Sequence, residues 1–281
     1  MQKLNSHSTI NYQNINYMNN LKKNKVIRFL LLPFYKKYIN LSWYLYSKIL
    51  KKNITIKIKK FEKIYFTPLG HIAKELFIGN FEPNEKLFIE NNLSINSNVL
   101  NIGANIGYYT ILASKISNSG IIFSFEPSKL NYDRLIKNIS LNNLKNIKTY
   151  NIALGNTNDT LNLYADSKNP HLDSHYTLCN DAGINGEVEK VTVAPLDDFL
   201  NIIPKIDIVI IDVEGFEFNL LNGAKEFIKN NLSAKYLIEV TKNQLDVIKL
   251  MQNFGFNVYA ISNNGKLIQT EEIHGNLVFM I

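Results

Sequence analysis

The run Val99-Leu100-Asn101-Ile102-Gly103-Ala104-Asn105-Ile106-Gly107-Tyr108-Tyr109-Thr110 restricts this chain more than any other stretch. An apolar run stops at a glycine, a second glycine follows four residues later, and a helical pattern starts at once. That is strand, tight turn, helix. In an open α/β sheet such a junction lies at the carboxyl end of a strand, where backbone N–H groups and the positive end of a helix meet a ligand. The chain downstream keeps the same alternation. Apolar strands are predicted at 121–125 (closed by Pro127), 147–153, 206–213, 236–240, 256–261 and 277–281, with helices at 108–116, 131–142, 218–228 and 244–254. Long apolar strands suit a central parallel sheet with helices on both faces, so the fold expected is a doubly wound α/β sheet. Residues 161–164 and 188–194 alternate like antiparallel edge strands around a polar loop, 166–185. A loop of that length in a compact domain is usually functional or mobile.

The chain has 281 residues, enough for one domain of about 200 residues and an extension. The layout expected is an extension at 1–52, a hairpin and helix leading into the core at 53–97, and the main domain at 98–281. Alternating Ile54, Ile56 and Ile58, with Ile64 and Phe66, predict the hairpin, and Pro83 opens a helix through residue 91. Net charge is +7, but unevenly spread. Residues 1–60 carry 13 Lys and Arg and no acid, whereas the rest carries 18 basic against 24 acidic residues. A basic arm thus precedes an acidic globule, which points to a membrane or nucleic-acid contact of the arm alone. In the arm Leu30, Phe34, Tyr38, Leu41, Leu45 and Ile49 keep helical spacing, with Trp43, Tyr44 and Tyr46 nearby. That stripe either lies on an anionic leaflet, through residues 21–60, or packs on the domain. Its charge-free pieces are too short to span a bilayer, and the polar first 20 residues lack a signal-peptide core. Cys179 is the only cysteine, so no disulfide framework or cysteine-based metal site is expected, and a reducing, cytoplasmic setting is.

What the glycine turn holds is decided by spacing. A dinucleotide fingerprint needs glycines at 103, 105 and 108, where this chain has Gly103, Asn105 and Tyr108, so the NAD reading fails. Glu126 ends the next strand, 19 residues after Gly107, and is placed to accept hydrogen bonds from vicinal ribose hydroxyls. A nucleoside with little or no phosphate fits that pair, and S-adenosylmethionine is the common one.

Four motifs taken in order, Asn101-Ile102-Gly103-Ala104-Asn105-Ile106-Gly107-Tyr108, Phe125-Glu126-Pro127, Leu196-Asp197-Asp198-Phe199 and Ile211-Asp212-Val213-Glu214-Gly215-Phe216-Glu217, resemble the FkbM family of S-adenosylmethionine-dependent methyltransferases. Leu237-Ile238-Glu239-Val240 is similar to that family's closing strand, and the likeness covers about residues 77–260. It implies a class I methyltransferase (Rossmann-like) fold of seven strands, the last antiparallel, and O-methylation of sugars, glycans or polyketides. It also implies a cofactor site at Asn101, Gly103, Ala104, Asn105, Gly107, Glu126 and Asp212, with Asn151 and Ala153 on the adenine side. The family generally has Asp where this chain has Asn101, and often Lys where it has Ile210. An amide oxygen still accepts a hydrogen bond from the cofactor's ammonium, without the charge attraction.

Asp212 and Glu214 close the strand at 206–213, and so open onto the crevice of Gly103 and Glu126. Methyl transfer needs donor and acceptor aligned and a hydroxyl proton removed. A carboxylate beside an apolar wall gains proton affinity and can serve as that base, with Glu239 a candidate on the substrate side. Alternatively Asp212 orients the cofactor while Glu214 and Glu217 fix the loop and the helix after it. His171 and His175 in the long loop offer another base. His171 and His175 stand four residues apart, but no HExxH motif joins these residues, and no metal is expected. The acidic domain and the lack of a base-amine motif argue against nucleic acid. The function expected is methyl transfer from S-adenosylmethionine to a hydroxyl of a sugar in a cell-surface glycan or lipid-linked precursor, at the inner membrane face.

Overall fold

The computed structural model describes residues 9–10, 37–50, 53–59, 62–66, 70–164, 178, 187–241, 244–271 and 274–281. It divides into two compact units, residues 1–81 with 171–174, and residues 82–170 with 175–281.

In the first unit Ile54–Lys59 and Glu62–Phe66 form the antiparallel hairpin that their alternation predicts, with Ile54, Ile56, Ile64 and Phe66 buried. Thr9–Ile10 runs parallel to Thr55 and Ile56, a pairing the sequence did not show. A helix over 37–44 passes into a π-helix, Leu45–Leu50. Its buried face carries Ile39 and Ser47, and between them Trp43 lies 5.4 Å from the Phe77 ring of the helix Gly70–Ile78. The apolar stripe expected to pack or to meet lipid is on the other side: Tyr38, Leu41, Leu45 and Ile49 are 62%, 66%, 41% and 60% exposed. Leu30 and Phe34 lie outside the described residues. Among the described residues no helix is long and apolar enough to cross a membrane.

The second unit holds, in order, α1 (Pro83–Asn92), β1 (Val99–Ile102), α2 (Tyr108–Ile116), β2 (Ile122–Phe125), α3 (Lys129–Leu141), β3 (Ile147–Tyr150), β4 (Ala153–Leu154), β5 (Asp159–Tyr164), β6 (Glu187–Ala194), β7 (Ile208–Ile211), α4 (Glu217–Asn222), α5 (Lys225–Asn230), β8 (Lys235–Val240), α6 (Leu245–Asn253), β9 (Asn257–Ile261), β10 (Leu267–Gln269) and β11 (Gly275–Met280). The main sheet runs β10-β9-β11-β8-β7-β1-β2-β3. β3, β2, β1, β7 and β8 are mutually parallel, and β11 inserts antiparallel between β8 and β9. The sheet thus has eight strands where the resemblance implies seven, and the last in sequence is antiparallel as expected. The eighth is β10, which pairs antiparallel with β9 at the sheet edge. Its three residues are too short and too polar for hydrophobic patterning to reveal.

Leu100, Ile102, Phe123, Phe125, Val209, Ile211, Tyr236 and Ile238 on the central strands pack with Leu220, Phe227, Val247 and Met251 on helices, and this is the main core. Burial of strands on both faces accounts for their near-continuous apolar runs. Two expectations need correction. The strand at 147–153 ends at Tyr150, and Ala153–Leu154 joins a separate sheet, β4-β6-β5, so the expected edge strands pair with each other and not with the main sheet. The helix at 218–228 is two helices. Between them the carbonyl of Gly223 accepts the N–H of Asp197, while the Asp197 carboxylate accepts those of Glu226 (3.1 Å) and Phe227 (2.7 Å), so the Leu196-Asp197-Asp198 motif starts α5 by capping it. The loop 166–185 lies outside the described residues except for residue 178, and so do His171 and His175.

Candidate functional site

A single register row gathers the site. Ile102 pairs with Phe125 and with Ile211, Ile211 pairs with Ile238, and Phe125 pairs with Tyr150. One residue past each stand Gly103, Glu126, Asp212, Glu239 and Asn151, so residues separated by up to 136 positions share one edge of the parallel sheet. Ligands of open α/β sheets bind there, outside the carboxyl ends of the strands.

The turn after β1 is built from backbone. Gly103 N–H and Ala104 N–H both donate to Phe125 O (3.0 and 2.9 Å), and Gly107 N–H donates to Ala104 O (2.9 Å). Gly103, Asn105 and Gly107 all have positive φ, of 78°, 50° and 92°. Gly103 has a second reason to be glycine, since a Cβ on it would lie 1.7 Å from Asp212 O. Asn105 tolerates left-handed backbone because its own Oδ1 accepts Ile106 N–H at 2.8 Å, and Asn138 Nδ2 donates to Ile106 O at 2.7 Å.

Glu126 is the acid this turn is wrapped around. Its Oε2 accepts Asn105 N–H at 2.7 Å and its Oε1 accepts Ser128 N–H at 2.9 Å, so two loops close on one side chain that is 4% exposed. Burial pushes its pKa up to about 7 against the two N–H groups, which pull it down. Each oxygen keeps a lone pair for a hydroxyl donor. Asn151 Nδ2 supports the same turn by donating to Glu126 O (2.8 Å) and Pro127 O (2.9 Å). Ala153 is not in the row. The chain turns away after Tyr150, and Ala153 packs with Leu163, Val191 and Val193 in the small sheet. Asn101 is 2% exposed, and its Nδ2 donates inward to Thr110 Oγ1 (2.9 Å), which meets Ser124 Oγ (2.8 Å). The amide ties β1 to α2 and β2.

Across the crevice, Asp212, Glu214 and Glu239 bring carboxylate oxygens within 4.8 Å of one another. Asp212 Oδ1 is closed to solvent and accepts no hydrogen bond among the described residues. Burial, then the charges of Glu239 and Glu214, hold the Asp212 pKa well above the usual carboxylate range. Glu214 takes a left-handed conformation (φ 52°), followed by Gly215 at 99°. The loop is held by Glu217, which is fully buried: its Oε1 accepts Val213 N–H and Gly215 N–H, each at 3.2 Å, and Gln244 Nε2 donates to its Oε2. Sequence reading put Glu217 near the loop but did not find Gln244.

Glu82 and Tyr109 were missed altogether. Tyr109 O–H donates to Glu82, which starts α1 with φ 39°. Burial raises Glu82 to about 7, with Glu85 and Glu239 adding repulsion, so this pair adjoins the same acidic group. Only the approach of α1 to the sheet joins residues 82, 109 and 239, and no motif spacing reports that.

A family model described as "Methyltransferase FkbM domain" matches residues 101–258. "Methyltransferase 1" of Beauveria bassiana is 25% identical over 170 residues, which are 54% of this chain and 66% of that protein, just under two thirds of its length. Among solved structures, the methyltransferase FkbM of Methylobacillus flagellatus is similar at TM-score 0.46 and 15% identity, covering 74% of this chain and 54% of that one. The TYW2 protein of M. jannaschii, solved with AdoMet, is similar at TM-score 0.44 and 17% identity, covering 82% and 84%.

Proposed function

The chain belongs to the FkbM methyltransferase family, and from that premise we propose that it binds S-adenosylmethionine along the carboxyl row and transfers its methyl group to a hydroxyl. The observation that carries this reading is Glu126, clamped by the N–H groups of Asn105 and Ser128 beside the Gly103 turn. A buried acid with acceptor capacity left over, next to a backbone turn with no pyrophosphate cradle, suits a ribose with two free hydroxyls. Gly103 and Ala104 would lie along the cofactor. Asp212 Oδ1, lacking a donor, would face its positively charged end or the acceptor.

The cofactor supplies a methyl group on a positively charged sulfur; displacement there needs alignment and a home for the hydroxyl proton. Asp212 is the proton acceptor we assign. Its raised proton affinity suits that role, and Glu217 holds the loop behind it. The oxygen–methyl bond forms, the sulfur–methyl bond breaks, and the hydroxyl proton passes to the carboxylate. Release of S-adenosylhomocysteine on addition of candidate sugar acceptors tests the reading; release independent of every acceptor, or none, counts against it.

The acceptor we favour is a sugar in a glycan or lipid-linked precursor, reached from a membrane surface. What supports this is the exposed apolar stripe of Tyr38, Leu41, Leu45 and Ile49 beside exposed Lys37 and Lys48, in a segment without acids. Flotation with anionic and neutral vesicles decides it. Recovery of the full chain with anionic vesicles, lost on Leu41→Glu with Ile49→Glu, is the outcome expected.

A further inference from the structure

We propose that Asp212, Glu214 and Glu239 form a binding site for one hard divalent cation of the Mg²⁺, Mn²⁺ and Ca²⁺ class. Sequence spacing argued against any metal because it looks for ligands a few residues apart. The sheet does what spacing does not: parallel pairing of β7 with β8 sets Ile211 opposite Ile238, so Asp212 and Glu239, 27 positions apart, leave neighbouring strand ends side by side. Glu214 reaches back to them through the left-handed backbone of residues 214 and 215.

Two independent observations point to a ligand. The first is size. One ligand oxygen from each residue lies within 4.8 Å of the others. Ligand oxygens of one ion bonded at about 2.4 Å lie no more than about 4.8 Å apart, the limit within which these three oxygens fall. The second is an acceptor without a donor. The Asp212 carboxylate is buried, and its Oδ1 is closed to solvent and accepts no hydrogen bond among the described residues. A buried acceptor left unpaired costs about 1 to 3 kcal/mol, more where it is charged, and a cation relieves that cost and the repulsion between three acids together. An all-oxygen donor set of carboxylates suits hard cations such as Mg²⁺, Mn²⁺ and Ca²⁺. All three residues are only partly buried, so coordination positions remain for outside oxygens. An acceptor hydroxyl filling one of them would be made more acidic. That last role rests on the methyl-transfer reading and, with the cation bound, takes the place of proton uptake by Asp212, whose carboxylate is then a ligand; cation binding itself rests on neither.

The test uses the full chain stripped of metals, titrated with Mn²⁺ alone and followed by loss of the free-ion paramagnetic signal, with S-adenosylhomocysteine binding measured on the same samples. One saturable site with a dissociation constant below about 1 mM is expected, together with a higher melting temperature in Mg²⁺, Mn²⁺ or Ca²⁺. Glu214→Gln and Glu239→Gln should each weaken Mn²⁺ about tenfold or more. Each variant should keep a cooperative melting transition without metal, so that lost Mn²⁺ reports the site and not unfolding. Absence of Mn²⁺ retention at millimolar concentration overturns the proposal, as does retention unchanged in both variants, which would place the ion elsewhere. Mn²⁺ binding without S-adenosylhomocysteine binding would keep the cation site and remove the methyltransferase reading.

Discussion

A side chain on Gly103 would begin 1.7 Å from the backbone carbonyl oxygen of Asp212. The two strand ends that form the crevice therefore touch main chain to main chain, and Asp212 N–H donates to Ile102 O at 3.1 Å in the same place. Gly103→Ala has to part them and also strains a φ of 78°. A loss of about 3 kcal/mol in chemical denaturation is expected, along with loss of cofactor binding. Gly255→Ala is the control, for it has φ 90° and nothing within 4 Å of its new Cβ. It should lose only about 1 kcal/mol and keep the ligand.

Glu126 sets a pH dependence of binding. Its pKa is about 7 in the ligand-free chain, and the ionised form is the better acceptor of ribose hydroxyls. Affinity for S-adenosylhomocysteine should rise between about pH 6 and pH 8 and then level off. Glu126→Gln should bind more weakly across the range, with that rise reduced; calorimetry at several pH values measures both.

The same shift has a consequence for stability, with the opposite sense. Glu126 and Glu82 are both raised from 4.5 to about 7 in the folded chain. The fold thus holds protons more tightly than the unfolded chain does. The stability this brings is complete below the unfolded carboxylate range and is lost as pH rises through about 7. The melting temperature of the ligand-free chain should fall from about pH 5 to about pH 8, and Glu126→Gln and Glu82→Gln should each flatten part of the fall.

Glu217 is a positioning residue for the Asp212 loop. Glu217→Ala strands the buried N–H groups of Val213 and Gly215 and should cost about 3 kcal/mol. Glu217→Gln keeps one oxygen for both N–H groups and should cost about 1 kcal/mol. If Glu217 acts only through the loop, Glu217→Gln should lower turnover while leaving the cofactor dissociation constant within about twofold.

The parallel core was legible because its strands are buried on both faces and read as unbroken apolar runs, while spacing along the chain singles out the Gly103 turn and Glu126. Register was legible only in part. It takes the pairing of Ile102 with Phe125 and Ile211 to show that Gly103, Glu126, Asp212 and Glu239 share an edge. Contacts made by helix packing left no sequence trace, as with Tyr109 and Glu82 or Gln244 and Glu217. Asn101 teaches the converse. A motif position marks its amide oxygen as a cofactor acceptor, and the structure adds a second role that the motif does not show, the Nδ2 bond to Thr110 that ties the strand to the helix packed over it. The stripe in the arm was read correctly as a face, and the side that turns inward was Ile39 and Ser47 instead.

The claim that Gly103 and Glu126 form the cofactor site, with Asp212 beside it as the proton acceptor, is tested most directly by titrating the full chain with S-adenosylhomocysteine in a calorimeter, beside Glu126→Ala and Asp212→Asn. One site in the wild type, with affinity lowered at least about tenfold in Glu126→Ala and retained in Asp212→Asn while methyl transfer is lost, is the expected result. No heat at millimolar ligand, or a Glu126→Ala chain that binds as well as the wild type, would contradict it.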